Sequence, residues 1–495
     1  MSPFRFVVPR LRGDHRALLR DPQLLVAGAY IDGQVVGCGD DVIDVRDPTT
    51  GESLGAIPRL SRQQIEHAIA ASQRAFERWR LHPARDRANR LYALHSLMLA
   101  NEDDLAHLVV FEQGRSMREA RDEIAYAASF VRWYAEECER VGGYLIPAPN
   151  ANWRQEVLQC PVGPVAAVTP WNAPSSMVTR KLAPALAAGC TVVVKPSEWT
   201  PFSALALAVL CERAGFPPGV VQVVTGDAVD IGQQLMASDV IRKLTFTGST
   251  AVGKQMATLA LRSVKRISLE MGGNAPFIVC EDADMPTAVT AALVAKFRVG
   301  GQSCIAGNRF LVHETRMPEF TEGLGEAMRA IVLGDGLHGG ELGPLRRDAD
   351  VKRLAGWLES VSHRGARLLA GGNIVHERFL EPTLIHGMRT DPGCELFGPV
   401  VHVAAFSDDD EAIIAANAGD AGLAAYVMSS SDARSSRYVA RLDVGMVGVN
   451  TGFVSDAGIP FGGTKASGVG REGGRAGLDA FVELKYVRRI AAVEV

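Results

Sequence analysis

Apolar positions at a spacing of three and four dominate the first third of the chain. Residues 65–79 and 85–114 read as amphipathic helices, with Leu91, Leu94, Leu97 and Met98 on one face, and residues 120–139 continue the pattern. Residues 142–161 break it. They carry Tyr144, Ile146, Trp153 and Val157 among several prolines and read as an extended hairpin projecting from the body. From Gly163 onward, short apolar runs alternate with helical stretches. Strands are expected at 165–168, 191–194, 220–224, 243–246 and 266–269. Helices are expected at 176–188, 203–214, 230–237 and 251–261, the first two closed by Gly189 and Gly215. Such alternation predicts a parallel sheet covered by helices on both faces. A second series starts near Met271, with a strand at 277–280, a helix through Lys296 and a strand at 309–312. Residues 473–495 return to an extended apolar pattern. The fold class is therefore α/β, with two doubly wound parallel-sheet domains and a small β element.

The overall balance changes little in that picture. The chain has 495 residues, 47% of them hydrophobic and 22% charged, and a net charge of −4. That is long enough for several folding units, each with its own core. The small net charge argues against nucleic acid or an anionic membrane as the main partner. No run approaches the ~20 apolar residues that span a bilayer. Arg5, Arg10, Arg12, Arg16 and Arg20 come without an apolar core segment, so the start of the chain reads as an extra arm on a cytoplasmic protein rather than a secretory signal. The eight cysteines (38, 138, 160, 190, 211, 280, 304 and 394) form no CxxC pair and have no histidine cluster beside them, so no metal site is expected.

Two constellations carry candidate chemistry. Three strands run into polar loops: Thr169-Pro170-Trp171-Asn172, Lys195-Pro196-Ser197-Glu198 and Thr247-Gly248-Ser249-Thr250. Loops at one sheet edge can line a cofactor groove, and the amides after Gly248 can face a phosphate. There is no GxGxxG, and single glycines also merely punctuate turns, so both readings stand. The second constellation is Glu270-Met271-Gly272-Gly273-Asn274 followed by Gly300-Gly301-Gln302-Ser303-Cys304. A cysteine on a glycine-rich loop can be an accessible nucleophile; a lone cysteine is also commonly a core thiol.

With Glu395-Leu396-Phe397-Gly398-Pro399 and the run from Pro460 to Glu472 added, these segments resemble, in order and spacing, the aldehyde dehydrogenase superfamily. The resemblance covers roughly Tyr30 to Val487 and, through residues 177–181 with 185–190, Lys296-Phe297-Arg298, and Asn450-Thr451-Gly452 with Ser455, ending in residues 484–487, is closest to the succinate-semialdehyde dehydrogenase branch. It implies Cys304 as nucleophile, Asn172 as oxyanion donor and Glu270 as the base that activates water. It implies an NAD groove made by Thr169, Pro170, Trp171, Lys195, Ser197, Glu198, Gly248, Ser249, Met271, Glu395 and Phe397. A carboxylate at Glu198 favours NAD over NADP. Glu472 matches a glutamate assigned to proton relay or to an exposed structural role.

Residues matching Arg180, Arg298 and Ser455 bind a substrate carboxylate in that branch, and paired guanidiniums suit one. The expected reaction is oxidation of succinate semialdehyde, with glutarate semialdehyde or a bulkier carboxylated aldehyde as the alternative. The chain departs from the branch at Ser303, at Ala306, where a second cysteine is usual, and at Val299, where Asn is usual. An acylating enzyme that uses coenzyme A is disfavoured by Glu270, and a non-catalytic relative by the complete set of site residues. The resemblance divides the chain into an NAD-binding domain (1–141 and 162–270), a catalytic domain (271–450), an oligomerisation hairpin and tail (142–161 and 473–495) and a return segment (451–472). It implies a homo-oligomer, dimer or tetramer.

Overall fold

The structure, a computed structural model, describes residues 4–387 and 395–490. Cys394 and the end of the expected tail lie outside the described residues.

The first lobe is built on a sheet whose parallel strands run in the order Arg266–Glu270, Lys243–Thr247, Val165–Val168, Val192–Lys195 and Val221–Val223. Ala29–Ile31 and Gln34–Val36 extend one edge antiparallel, and Gly468–Val469 extends the other. The strands are mostly buried because both faces are covered. Val165 and Ala167 face a core shared with the helices Ala84–Ala100, Met117–Cys138 and Ser176–Ala188. Ala166, Val193 and Leu244 face another, shared with Arg62–Trp79 and Ala228–Ala237. The chain enters mid-sheet at Val165, winds outward through Val192 and Val221, and then returns to Lys243 on the other side. The order thus reverses between Val165–Val168 and Lys243–Thr247, which opens a crevice beyond their carboxyl ends.

The second lobe has the order Arg367–Ala370, Thr383–His386, Val400–Phe406, Gly307–His313, Ala275–Val279, Ala424–Met428 and Met446–Val449, parallel except at the first edge. Alternate residues again feed two cores: Phe277, Phe310 and Tyr426 on one face, Ile278, Leu311 and Val427 on the other. A third, antiparallel sheet joins Tyr144–Ile146, Trp153–Pro161 and Val482–Ile490, with Val482 opposite Pro161 and Ile490 opposite Trp153. Leu145 (65%), Leu484 (62%) and Ile490 (65%) are largely exposed on it, more than a closed sheet face would leave. Among the described residues no helix is long and apolar enough to cross a membrane.

Several element bounds differ from the sequence pattern for local reasons. The expected helix over 85–114 is two helices, Ala84–Ala100 and Glu102–Gln113. Asn101 leaves helical geometry between them and ties its side-chain amide back to the Leu97 carbonyl at 2.8 Å. The first helix begins at Arg62 rather than 65, because Ser61 and Gln64 form a reciprocal capping box. The tail is not extended from 473: a short helix, Gly474–Asp479, precedes the strand. The N-terminal arm crosses between lobes. Phe6–Val7 pairs in parallel with Leu333–Gly334 of the second lobe, and Leu19 sits in the core of the first.

Candidate active site

The crevice at the strand reversal is an open groove between the lobes. Thr169, Pro170, Trp171, Lys195, Ser197, Glu198, Gly248, Ser249 and Met271 line it from the first lobe, Glu395 and Phe397 from the second. Ser249 caps the helix Thr250–Leu261 by accepting the Val252 amide, and this helix start lines the groove. Lys195 Nζ stands 3.2 Å from Glu198 Oε2. Trp171 and Phe397 meet edge to face at 5.5 Å across the gap. Sequence reasoning missed Arg347, Asp350 and Arg353 on the second-lobe wall. Arg347 is bidentate to Asp350 at 2.7 and 2.8 Å. Nothing in the sequence distinguishes this pair from an ordinary exposed ion pair on a helix.

Cys304 lines both this groove and a second chamber. Its loop approaches the first lobe closely enough to require Gly273. A Cβ on Gly273 would sit 2.3 Å from the Cys304 carbonyl oxygen, whereas one on Gly272 would meet only the movable end of the Glu395 side chain at 2.8 Å. Before the cysteine, Val299, Gly300 and Gly301 take successive left-handed conformations, with φ of 56°, 61° and 70°. Burial, reinforced by the Glu395 carboxylate and opposed by Arg180, pushes the Cys304 thiol up to about 12. Glu395 is itself pushed up to about 7 by burial. Asn172 is buried beside the loop and donates its side-chain amide to the Gln302 carbonyl at 2.9 Å.

Glu270 ends the strand Arg266–Glu270 and is buried, yet it lines neither cavity. Its carboxyl lies toward Gly462, and neither oxygen has a hydrogen-bond partner among the described residues. Burial and the nearby Glu472 hold its pKa well above the ordinary carboxyl range. Glu472 is not an exposed structural residue. It is buried, ion-paired and hydrogen-bonded to Lys181, and accepts a 3.3 Å hydrogen bond from the Thr245 hydroxyl.

The second chamber holds Arg180, Arg298 and Ser455 together. Arg180 is fully enclosed. Its Nη2 donates to the Tyr126 hydroxyl and, at 3.2 Å, to the Ser455 hydroxyl, while its guanidinium stacks 4.1 Å from the Phe461 ring. Nε and Nη1 have no hydrogen-bond partner among the described residues; Glu472 lies 3.9 Å from Nε. Arg298 is half-buried over the Phe453 ring at 4.0 Å. A buried cation with unspent donors is a poor resting arrangement unless an anion completes it. Tyr126 was not legible as part of this site, since in sequence it reads as one aromatic on a core helix.

Residues 36–487 match the model of a family described as the aldehyde dehydrogenase family. A glutarate-semialdehyde dehydrogenase of Pseudomonas putida is 42% identical over 474 residues, covering 95% of this chain and 99% of the relative. A succinate-semialdehyde dehydrogenase [NADP(+)] of Escherichia coli is 43% identical over 477 residues, with 95% and 99% covered. The crystal structure of a succinate-semialdehyde dehydrogenase from Burkholderia pseudomallei superposes with a TM-score of 0.94 at 45% identity, covering 95% of this chain and 99% of that one.

Proposed function

The chain belongs to the aldehyde dehydrogenase family, and from that premise we propose that it oxidises a short aldehyde bearing a second carboxylate, succinate semialdehyde first and glutarate semialdehyde as the alternative. The observation that carries this reading is the buried Arg180, held by Tyr126 and Ser455 in a chamber that ends at Cys304. Two guanidiniums in one enclosed chamber suit an anionic tail better than an alkyl one. The test is a kcat/KM panel of succinate semialdehyde, glutarate semialdehyde and uncharged aliphatic aldehydes, with the carboxylated compounds preferred.

Cys304 Sγ would add to the aldehyde carbonyl as a thiolate, its proton having passed to solvent, giving a thiohemiacetal. Its oxyanion would lie against the Asn172 amide and the Cys304 N–H. When bound, NAD would supply hydride-acceptor chemistry in the groove, and Cys304 would carry the acyl group as a thioester. Thr169, Pro170, Trp171, Lys195, Ser197, Glu198, Gly248, Ser249, Met271, Glu395 and Phe397 all line a groove that fits a dinucleotide. Lys195 and Glu198 would hold the adenosine ribose, the Gly248-Ser249 helix start the pyrophosphate, and Glu395 and Phe397 the nicotinamide end. Glu198 would repel a 2′-phosphate, which favours NAD over NADP.

Glu270 would then take the proton of the water that cleaves the thioester. Because Glu270 lines neither cavity, this requires its side chain to turn from Glu472 toward Cys304. In the same reading, residues 1–141 and 162–270 form the cofactor domain, 271–450 the catalytic domain and 451–472 the return between them. Residues 142–161 and the tail from 473 associate copies of a cytoplasmic homo-oligomer, dimer or tetramer, through exposed strand faces.

A further inference from the structure

The arm at the start of the described chain begins in one lobe and ends in the other. Phe4 is buried in the second-lobe core, and Phe6 meets Phe379 edge to face at 5.3 Å. The Arg5 and Val7 carbonyls accept the amides of Leu333 and Asp335 at 3.0 and 3.2 Å. At its far end, the amides of Arg20 and Asp21 donate to Asp104 of the first lobe at 2.9 and 2.8 Å. Arg12 lies midway. Its Nε is 2.6 Å from Asp47 Oδ2, and its Nη2 is 3.3 Å from Asp335 Oδ1. The Arg12 side chain is 1% exposed and both carboxylates are fully enclosed. Asp47 belongs to the first lobe, on the turn after the strand Val42–Arg46; Asp335 follows Leu333–Gly334 in the second.

The neighbours complete this cluster. Glu52 accepts the amides of Arg12 and Gly13, His15 Nε2 lies 3.7 Å from Asp47 Oδ2, and His338 Nδ1 lies 2.9 Å from Asp335 Oδ2. Arg12 also sits 5.6 Å from the centre of the Phe111 ring. Two buried carboxylates on opposing lobes repel, and each is costly to leave uncompensated. A cation between them converts that repulsion into a bridge of fixed length.

The bridge reaches the groove on both sides. The carbonyl of Arg46, next to Asp47, accepts Arg346 Nη2 at 3.1 Å, and Arg346 also donates to the Trp199 carbonyl at 2.8 Å. Arg347 and Glu198, the neighbours of that pair, line opposite walls of the groove. Beyond Asp335, the Gly336 carbonyl accepts the Met117 amide at 3.3 Å, and Arg115 donates to the Asn172 carbonyl.

We propose that Arg12 is a positioning residue that, by pairing with Asp47 of one lobe and Asp335 of the other, sets the lobe separation across which the cofactor groove is built. The inference rests on the reading of that groove as a dinucleotide site. Losing the bridge lowers the fraction of molecules in the binding-competent separation, and the apparent dissociation constant rises by the inverse of that fraction.

The experiment compares full-length wild type with Arg12→Met, Arg12→Lys and the near-isosteric Asp335→Asn. It measures the dissociation constants of NAD and NADH by fluorescence titration, kcat at saturating cofactor, and thermal unfolding. The NAD dissociation constant is expected to rise at least about fivefold in Arg12→Met and Asp335→Asn, with kcat within about twofold and Arg12→Lys in between. If Arg12→Met does not fold, Asp335→Asn decides. A dissociation constant within about twofold of wild type in Asp335→Asn, whether or not it melts earlier, makes the cluster merely structural and overturns the proposal. Wild type that bound neither NAD(H) nor NADP(H) would instead refute the groove reading, and this inference with it.

Discussion

The side-chain amide of Asn172, from the first lobe, donates a 2.9 Å hydrogen bond to the carbonyl of Gln302, two residues before Cys304 on the second. The amide has a second N–H, so one group anchors the cysteine loop and remains able to meet a developing oxyanion. Asn172→Ala is therefore expected to lower kcat by about 10²–10³, the usual cost of one oxyanion donor. Steady-state kinetics at saturating NAD measure this. A loss below about tenfold, the factor that 1.4 kcal/mol represents, would remove Asn172 from that role.

The carboxylate clamp makes a selective prediction. Arg180→Ala and Arg298→Ala each remove a charge-assisted contact of about 1.5–3 kcal/mol, so kcat/KM for succinate semialdehyde should fall about 10- to 150-fold. Activity on an uncharged aldehyde of similar length should change far less. Equal loss on both substrates would show that the arginines only hold the chamber together.

Glu198 governs cofactor choice in this account. Its carboxylate is 3.2 Å from Lys195 and partly open to the groove. Glu198→Ala should raise kcat/KM for NADP relative to NAD by at least about tenfold, since a like-charge contact is removed and a lysine freed. Initial-rate measurements with both cofactors check this. Wild type that used NADP as well as NAD would defeat it.

Much of this site was legible in the sequence, for a physical reason. A glycine such as Gly273, ahead of Cys304, marks a position where two backbones approach too closely for a side chain. Strand ends such as Lys195 and Glu270 followed from the apolar runs before them. What was not legible depends on partners distant in sequence. Tyr126 and Arg347 reach the site only through packing, and the split at Asn101 comes from one side chain competing with the helix backbone. Glu270 lies away from both cavities, toward Gly462 some 200 residues on, an orientation that no local pattern announces.

Val299 carries strain. It holds φ of 56°, a left-handed conformation that costs a β-branched residue roughly 1–2 kcal/mol and that Asn or Gly adopts readily. Its amide also donates to Glu119 Oε1 at 3.1 Å, which any residue there can retain. Val299→Asn should stabilise the protein by about 1 kcal/mol in denaturant unfolding. A destabilised variant would show that packing of the valine in the chamber outweighs the strain.

The protonation state of Cys304 is testable without substrate. Burial and Glu395 raise the thiol to about 12, so the cofactor-free protein holds a neutral thiol near pH 7, and its thiolate fraction grows with pH. Alkylation of Cys304 by iodoacetamide should accelerate about tenfold per pH unit between about pH 7 and 9 without a plateau, and should be faster in Glu395→Gln. A plateau below about pH 8, near or under the free-thiol value, would show that the thiol is already activated.

The proposed reaction depends on Cys304 as the nucleophile. The direct measurement is NADH production by Cys304→Ala with succinate semialdehyde and saturating NAD, on protein shown to bind NAD as wild type does. The predicted result is no turnover above background, a loss of at least about 10³-fold, because removing a nucleophile forecloses the covalent route. Turnover within about tenfold of wild type would contradict it, since the barrier would then have moved by no more than about 1.4 kcal/mol.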